Sequence, residues 1–218
     1  MVLDGLFISK EDLELLKTQK NIIRSFEGQD YILTPTTDAT TNIRHGKNFQ
    51  LGEYVIIKKP DLIEVGDNVR IADFCRISAA CKIGDHCELA PGTYIAGGDG
   101  KFTFTMKGYS SLASGVKIWL STNDYVNELV THSVPQVKET TGPVFMDLFT
   151  GIGSNTVVMP DNEIPIGVTI GANSFVPSGF KFEPWTVYAG NPICKKKPRN
   201  KEKIIQTLKK IGVDCSGL

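Results

Sequence analysis

The stretch VGDNVRIADFCRISAACKIGDHCELAPGTYIAG, residues 65–97, decides the architecture. An aliphatic side chain returns at every sixth position: Val65, Ile71, Ile77, Ile83, Leu89 and Ile95. Four residues after each of the first five stands a small or β-branched one: Val69, Cys75, Cys81, Cys87 and Thr93. Gly or Ala follows the aliphatic position in most units, as Gly66, Ala72, Gly84, Ala90 and Ala96. A helix repeats about every 3.6 residues and a half-buried strand every two, so neither accounts for this spacing. A fixed repeat of six is the signature of a parallel β-helix, in which each unit is one short strand and a turn.

The register restarts at Met106, Leu112 and Ile118, with Ser110, Val116 and Thr122 at the small position. An insertion around residues 98–103 separates it from the first block. It returns at Met146 and runs through Ile152, Val158, Ile164, Ile170, Val176, Phe182 and Tyr188. Asn162 and Phe180 fall on the small position and predict a less regular coil there. The organisation read from the pattern is therefore all-β, a hexapeptide-repeat β-helix over residues 51–192 with an excursion over 123–142. An N-terminal segment, 1–50, precedes it. Within that segment Ser9 and Asp12 form a capping pair for a helix carrying Leu13, Leu15 and Leu16, and a polar, irregular approach follows. A basic segment and helix, 193–218, end the chain; NKEKIIQTLKKIG is amphipathic and stops at Gly212.

Lys plus Arg equals Asp plus Glu, 24 each, which gives no electrostatic case for nucleic acid or a membrane surface. No apolar run reaches the roughly 18 residues of a membrane span. The N-terminus is acidic where a secretory signal is basic, so a cytoplasmic protein is expected. Five cysteines are present, but Cys75, Cys81 and Cys87 occupy one position of three successive units. On a three-faced coil they point to different faces and pack as small hydrophobes rather than converge on a metal. No metal site is expected. GGDGKFT (97–103) lacks the spacing of a phosphate-binding loop, and the glycines of GIGSNT (151–156) are coil turns.

The excursion, NDYVNELVTHSVPQVKETTG, carries the available chemistry: Asp124, Tyr125, Glu128 and His132. Long loops thrown out from a regular scaffold are where sites are built. His86 lies in a coil turn and His45 in the polar approach, both read as structural or surface residues.

SSLASGVKIWLSTNDY (110–125), GPV (142–144), IGSNTVVMP (152–160), IGANSFV (170–176) and EPWTVYAGNP (183–192) together resemble the hexapeptide-repeat acyltransferases. The likeness covers roughly residues 50 to 200 and is similar to the branch found in O-antigen and capsule gene clusters. That branch includes acetyltransferases of galactosides, chloramphenicol and nucleotide-linked amino sugars. The resemblance implies a left-handed coil, a homotrimer, and acetyl-CoA as co-substrate in a groove between adjacent β-helices. It places small residues at coil turns along the pantetheine arm, matched here by Ser154, Ala172 and Gly190. Lys195 and Lys196 then fall near the nucleotide phosphates, where cations make charge-assisted hydrogen bonds. Family members acting on hydroxyls carry a catalytic His after the block matched by residues 121–123; here Asp124 stands in that place. The departure favours an amine acceptor, because a neutral amine is already nucleophilic and an ordinary carboxylate is a poor base for a hydroxyl.

The expected function is transfer of acetyl from acetyl-CoA to the amine of a nucleotide-linked amino sugar. The catalytic candidates are Asp124 and His132. O-acetylation of a sugar with His132 as general base is the first alternative. A non-catalytic scaffold is the second. A zinc hydratase on the same coil needs converging histidines, and His45, His86 and His132 are spread without the close pair such a site uses.

Overall fold

The computed structural model describes residues 43–131 and 137–215 in full, and the backbone of four short strands before them, Val2–Leu3, Leu6–Phe7, Ile22–Phe26 and Gln29–Thr34. The chain winds as a parallel β-helix with three faces. Face one begins at Arg44–His45, face two at Gln50–Leu51 and face three at Val55–Ile57. Each later coil adds one strand to each face. Face one holds six strands and faces two and three hold eight each.

The sixfold register explains why. Alternate side chains point inward, so each unit buries the small residue two places before its aliphatic one, as at Val55 and Ile57, and the aliphatic residue itself, which forms a row along the face. On face two this is the row Leu51, Ile71, Leu89, Leu112, Ile152, Ile170 and Tyr188, each directly paired with the next. Ile71, Leu89 and Leu112 are wholly buried. Each such side chain contributes roughly 1.5–3 kcal/mol over its exposed state. Cys75, Cys81 and Cys87 are buried and lie on three different faces, as the register requires. The Cys75 and Cys87 thiols donate to the carbonyls of Ala90 (3.3 Å) and Lys107 (3.2 Å).

Four expectations need correction. The coil begins at Arg44, earlier than 51, and Ile43 already joins the core. The approach is not irregular: Gln29–Thr34 pairs antiparallel with Val55–Ile57, and Ile22–Phe26 with Gln29–Thr34. This hairpin covers the open edge that the first coil would leave to another chain. Asn162 does not disturb the coil. It is buried, pairs in register with Val144, donates to Met159 O (2.8 Å) and Pro177 O (3.0 Å), and accepts from Phe180 N (3.0 Å). An amide that satisfies donor and acceptor inside the stack ties two coils together. Finally, the excursion has order of its own, because Ser121–Asn123 and Glu139–Thr141 form an antiparallel hairpin base. Thr122 belongs to that base rather than to the sixfold register.

The helix expected from Ser9 lies outside the described residues. The C-terminal helix, α1, spans Lys201–Lys210, with Asn200 accepting from Lys203 N at 2.9 Å and Gly212 (φ 77°) beyond its end. Before it, Cys194–Pro198 closes face two as an antiparallel strand against Thr186–Ala189. No helix among the described residues is long and apolar enough to cross a membrane.

The three corners serve different ends. At the corner between faces one and two, one residue per coil takes a left-handed conformation: Asn48, Asn68, His86, Tyr109, Phe149, Gly167 and Trp185. Its rings meet in series: His86 stacked on Tyr109 (4.6 Å), Tyr109 tilted by 33° against Phe149 (5.8 Å), and Phe149 stacked on Trp185 (6.3 Å). Lys201 of α1 covers Trp185 at 5.5 Å, and Arg199 donates to the carbonyls of Phe149 and Gly167. His86 is therefore structural: its Nε2 lies 3.5 Å from Asn68 Nδ2. The corner between faces three and one takes the insertions, Pro60–Leu62, Gly98–Gly100 and the hairpin. The corner between faces two and three carries Tyr54 and Phe74 on its first two coils and mostly small residues from Gly92 onward.

Candidate functional site

On that third corner the residue two places after the inward one forms a column: Glu53, Asp73, Pro91, Ser114, Ser154, Ala172 and Gly190. The backbone confirms the stacking. Asn155 N donates to Ser114 O (3.0 Å), Asn173 N to Ser154 O (2.8 Å) and Phe175 N to Gly190 O (3.1 Å). The Ser174 hydroxyl accepts from Gly190 N at 3.0 Å. The coils also approach closely beside the column. A Cβ on Gly153 would meet Ala172 N at 2.5 Å, and one on Gly171 would meet Ala189 Cβ at 2.8 Å. Ser154, Ala172 and Gly190, expected from the sequence, are thus stacked on successive coils as one column of small residues, a shallow channel in outline. Ser114 continues it by one coil and was not anticipated. The signal existed, since Ser114 follows Leu112 as Ser154 follows Ile152, but the hairpin intervenes.

The two candidate lysines differ. Lys195 is paired with Glu183 at 2.5 Å, and that carboxylate raises its pKa. Lys196 lies on the channel side: its Nζ is 3.9 Å from where a Gly190 Cβ would stand and 2.9 Å from Cys194 Sγ. The column therefore ends beside a cation, and its floor has no bulky side chain from Ser114 onward.

Asp124 stands at the foot of the hairpin, on the far edge of face three from the column. Its Oδ1 accepts from Val126 N (3.0 Å) and Asn127 N (3.1 Å), and its Oδ2 from Asn127 Nδ2 (2.9 Å). The Asn127 side chain first, then the two backbone N–H groups, hold its pKa below the ordinary value. Asp124 is thus ionised and caps its own turn, while Oδ2 retains capacity for a further donor. Beside it, Asn123 Oδ1 is buried and accepts no hydrogen bond among the described residues. His132 lies outside the described residues. His45 is exposed, with Nδ1 2.8 Å from Gly46 O. Among the described residues no cluster of His, Cys, Asp and Glu is placed to hold a metal ion.

A cleft of about 840 Å³ lies elsewhere, along face one between Arg44, Glu64, Lys82 and Lys107. It contains none of the sequence-predicted residues. Its charges are already paired, Arg44 with Glu64 (2.6 Å) and Lys107 with Asp147 (3.3 Å), so the channel is the better site.

Residues 63–97 match the family described as bacterial transferase hexapeptide (six repeats). Among solved structures, the chain is similar to AntD, an N-acyltransferase from Bacillus cereus crystallised with dTDP and 3-hydroxybutyryl-CoA. Identity is 27%, over 78% of this chain and 90% of that one, with a TM-score of 0.72. A point mutant of AntD with dTDP and coenzyme A matches at 30% identity over 76% and 91%, TM-score 0.65. The chain belongs to the hexapeptide-repeat acyltransferases. Another AntD mutant, with dTDP-4-amino-4,6-dideoxyglucose and coenzyme A, matches at 27% identity over 77% and 89%, TM-score 0.71. No curated protein sequence matches significantly. Membership makes this acyltransferase an enzyme and disposes of the scaffold and zinc-hydratase readings.

Proposed function

We propose that this acyltransferase moves an acyl group, acetyl in the first instance, from its CoA thioester to the amine of a nucleotide-linked amino sugar. The observation that carries the reading is the small-residue channel ending at Lys196, on a chain similar over three quarters of its length to AntD. AntD structures hold coenzyme A and an amino sugar linked to dTDP. Structures of AntD also carry substitutions at a serine and at an aspartate ten positions after it. Ser114 and Asp124 have the same residue types at the same spacing.

In the proposed reaction the amine nitrogen attacks the thioester carbonyl. The C–N bond forms, the C–S bond breaks, and CoA departs as a thiolate that takes a proton from solvent. The nitrogen gives up one proton. Asp124, held as a carboxylate, orients the amine through Oδ2 and passes that proton to solvent. Within one chain Asp124 and the channel lie on opposite edges of face three, so a second copy is the natural source of the missing half. We take the active assembly to be a cytoplasmic homotrimer. The exposed apolar hairpin residues Tyr125, Val126, Leu129 and Val130 suit a surface that docks against a neighbour.

Thiol release measured with acetyl-CoA and longer acyl-CoAs, across nucleotide-linked amino sugars and their hydroxyl analogues, tests the reading. Only the amines should be acylated, and Asp124→Asn should lower the rate roughly 10²–10⁴-fold. Acylation of the hydroxyl analogue with the amine inert overturns it.

A further inference from the structure

The left-handed position on the channel corner is filled in turn by Tyr54 (φ 56°), Phe74 (φ 59°), Gly92, Gly115, Asn155 and Asn173. Gly and Asn suit this conformation; a bulky aromatic there is an outlier that the surroundings must compensate. On the packed corner each aromatic is sandwiched in the continuous stack, which is the compensation. On the channel corner the stack stops after two rings. Tyr54 and Phe74 lie parallel, 3° apart with centroids 5.4 Å apart, and remain 54% and 64% exposed.

Beyond Phe74 the corner opens. A Cβ on Gly92 would find nothing nearer than Gly115 N at 3.9 Å. One coil further the opening is closed, because Asn155 Oδ1 occupies the place that a Gly115 Cβ would take. The backbone shows that these are successive rungs: Gly92 N donates to Asp73 O, Gly115 N to Pro91 O, and Asn155 N to Ser114 O, each at 3.0 Å. The result is a slot with an exposed ring face at one end, no side chain at its floor, and an amide at the other end. A flat ring with polar edges fits such a slot; an aliphatic group would leave the amide without use.

Position on the corner says which ring. The channel runs from Ser114 toward Gly190 and Lys196, so the cation end takes the phosphates of the acyl donor. The slot opens on the opposite side of Ser114, at Phe74 and Gly92, and meets the channel at Asn155, which follows Ser154. We propose that the Tyr54–Phe74 pair is a stacking platform for the nucleobase of the acceptor, with the Asn155 amide reading the edge of that base. This rests on the proposed acceptor class and adds the means by which the enzyme recognises its nucleoside half. Nucleobases stack on such rings with little regard to sequence, and loss of one ring costs roughly ten- to hundredfold in affinity.

Calorimetry with dTDP and with UDP, together with KM values for a nucleotide-linked amino sugar, its free amino sugar and acetyl-CoA, tests the platform. Phe74→Asn places at φ 59° a residue that tolerates it, so the fold is retained. This variant should lose roughly ten- to hundredfold in dTDP affinity and raise KM for the nucleotide-linked acceptor alike. KM for acetyl-CoA and the rate with the free amino sugar should not move. Gly92→Asn, which puts a side chain into the slot without changing the rings, should have the same effect. Unchanged dTDP and UDP binding in both variants overturns the platform. So does loss of acetyl-CoA binding instead, which places adenine in the slot, or a change of oligomeric state, which places a second copy there. Failure of every amino sugar to release thiol from acetyl-CoA counts against the proposed function, while the dTDP titration still decides the platform.

Discussion

Two corners of one coil adopt the same backbone and put it to opposite uses. Between faces one and two, His86, Tyr109, Phe149 and Trp185 stack into a ladder that Lys201 and Arg199 finish. Between faces two and three, the ladder stops at Phe74 and small residues continue as far as Gly190. A filled corner holds coils together. An open one leaves the backbone approachable, and only there can a slender ligand lie along the helix. Function in this fold therefore resides in what the turns omit, since the inward rows are alike on every face.

Breaking both corners at once gives the largest effect. Ile170→Asp puts an unpaired charge into the face-two row, where Ile170 is 3% exposed between Ile152 and Tyr188. No soluble folded protein is expected. A cooperative melt with wild-type circular dichroism would refute the register. Next comes a change confined to the open corner. Ala172→Trp fills the channel at an exposed residue with an ordinary backbone conformation. It should abolish acetyl-CoA binding by calorimetry and leave the melting temperature within a few degrees. Retained binding removes Ala172 from the site.

The inward rows were legible in the sequence because burial there is a yes-or-no property of every sixth residue. The corners were less so. Whether an aromatic at a left-handed position is covered depends on the coil above it, and insertions make that coil a variable number of residues away. The hairpin hid Ser114 for this reason. Asn162 reads as a fault from residue type alone, because type does not reveal its partners, Met159, Pro177 and Phe180. The hairpin strands at Ile22–Phe26 and Gln29–Thr34 have no sixfold pattern, since they cap the coil rather than join it. Asp124 was visible as chemistry, but its contact with Asn127 depends on a turn that spacing alone does not fix.

A direct comparison of the corners uses two glycines of nearly equal φ, Gly167 (71°) and Gly92 (73°). A Cβ on Gly167 would collide with the Trp185 ring, whereas Gly92 opens on empty space. Gly92→Ala should cost only the left-handed penalty, about 1–2 kcal/mol. Gly167→Ala should add about 1–3 kcal/mol of overpacking. Equal melting temperatures for the two variants would deny that the packed corner is tighter.

The core thiols give a smaller, pH-dependent effect. Burial pushes Cys75 and Cys87 from 9.0 to about 11 and Cys81 higher still. The folded chain keeps these protons while the unfolded chain loses them above about pH 9. Their contribution is therefore complete below about pH 9 and falls as pH rises from there toward about 11. Denaturant midpoints at pH 8 and pH 10 should show the loss, and alkylation at pH 8 should label exposed Cys194 while sparing all three. Labelling of Cys81 in the native state would contradict its burial.

The smallest effect separates two adjacent cations. Lys195 already faces Glu183 at 2.5 Å, so Lys195→Glu chiefly breaks a solvent-exposed pair and should cost little. Lys196 lies 3.9 Å from the Gly190 Cβ position at the end of the channel and meets no carboxylate among the described residues. Lys196→Glu should therefore weaken coenzyme A several-fold more than Lys195→Glu does, and the gap should narrow as salt screens the exposed charges. If Lys196 reads the 3′-phosphate, dephospho-coenzyme A should bind wild type and Lys196→Glu nearly alike. Equal losses for both ligands would leave Lys196 as a general attraction at the channel mouth. A larger loss at Lys195 would move the phosphates to the other side of the closing strand, away from the column.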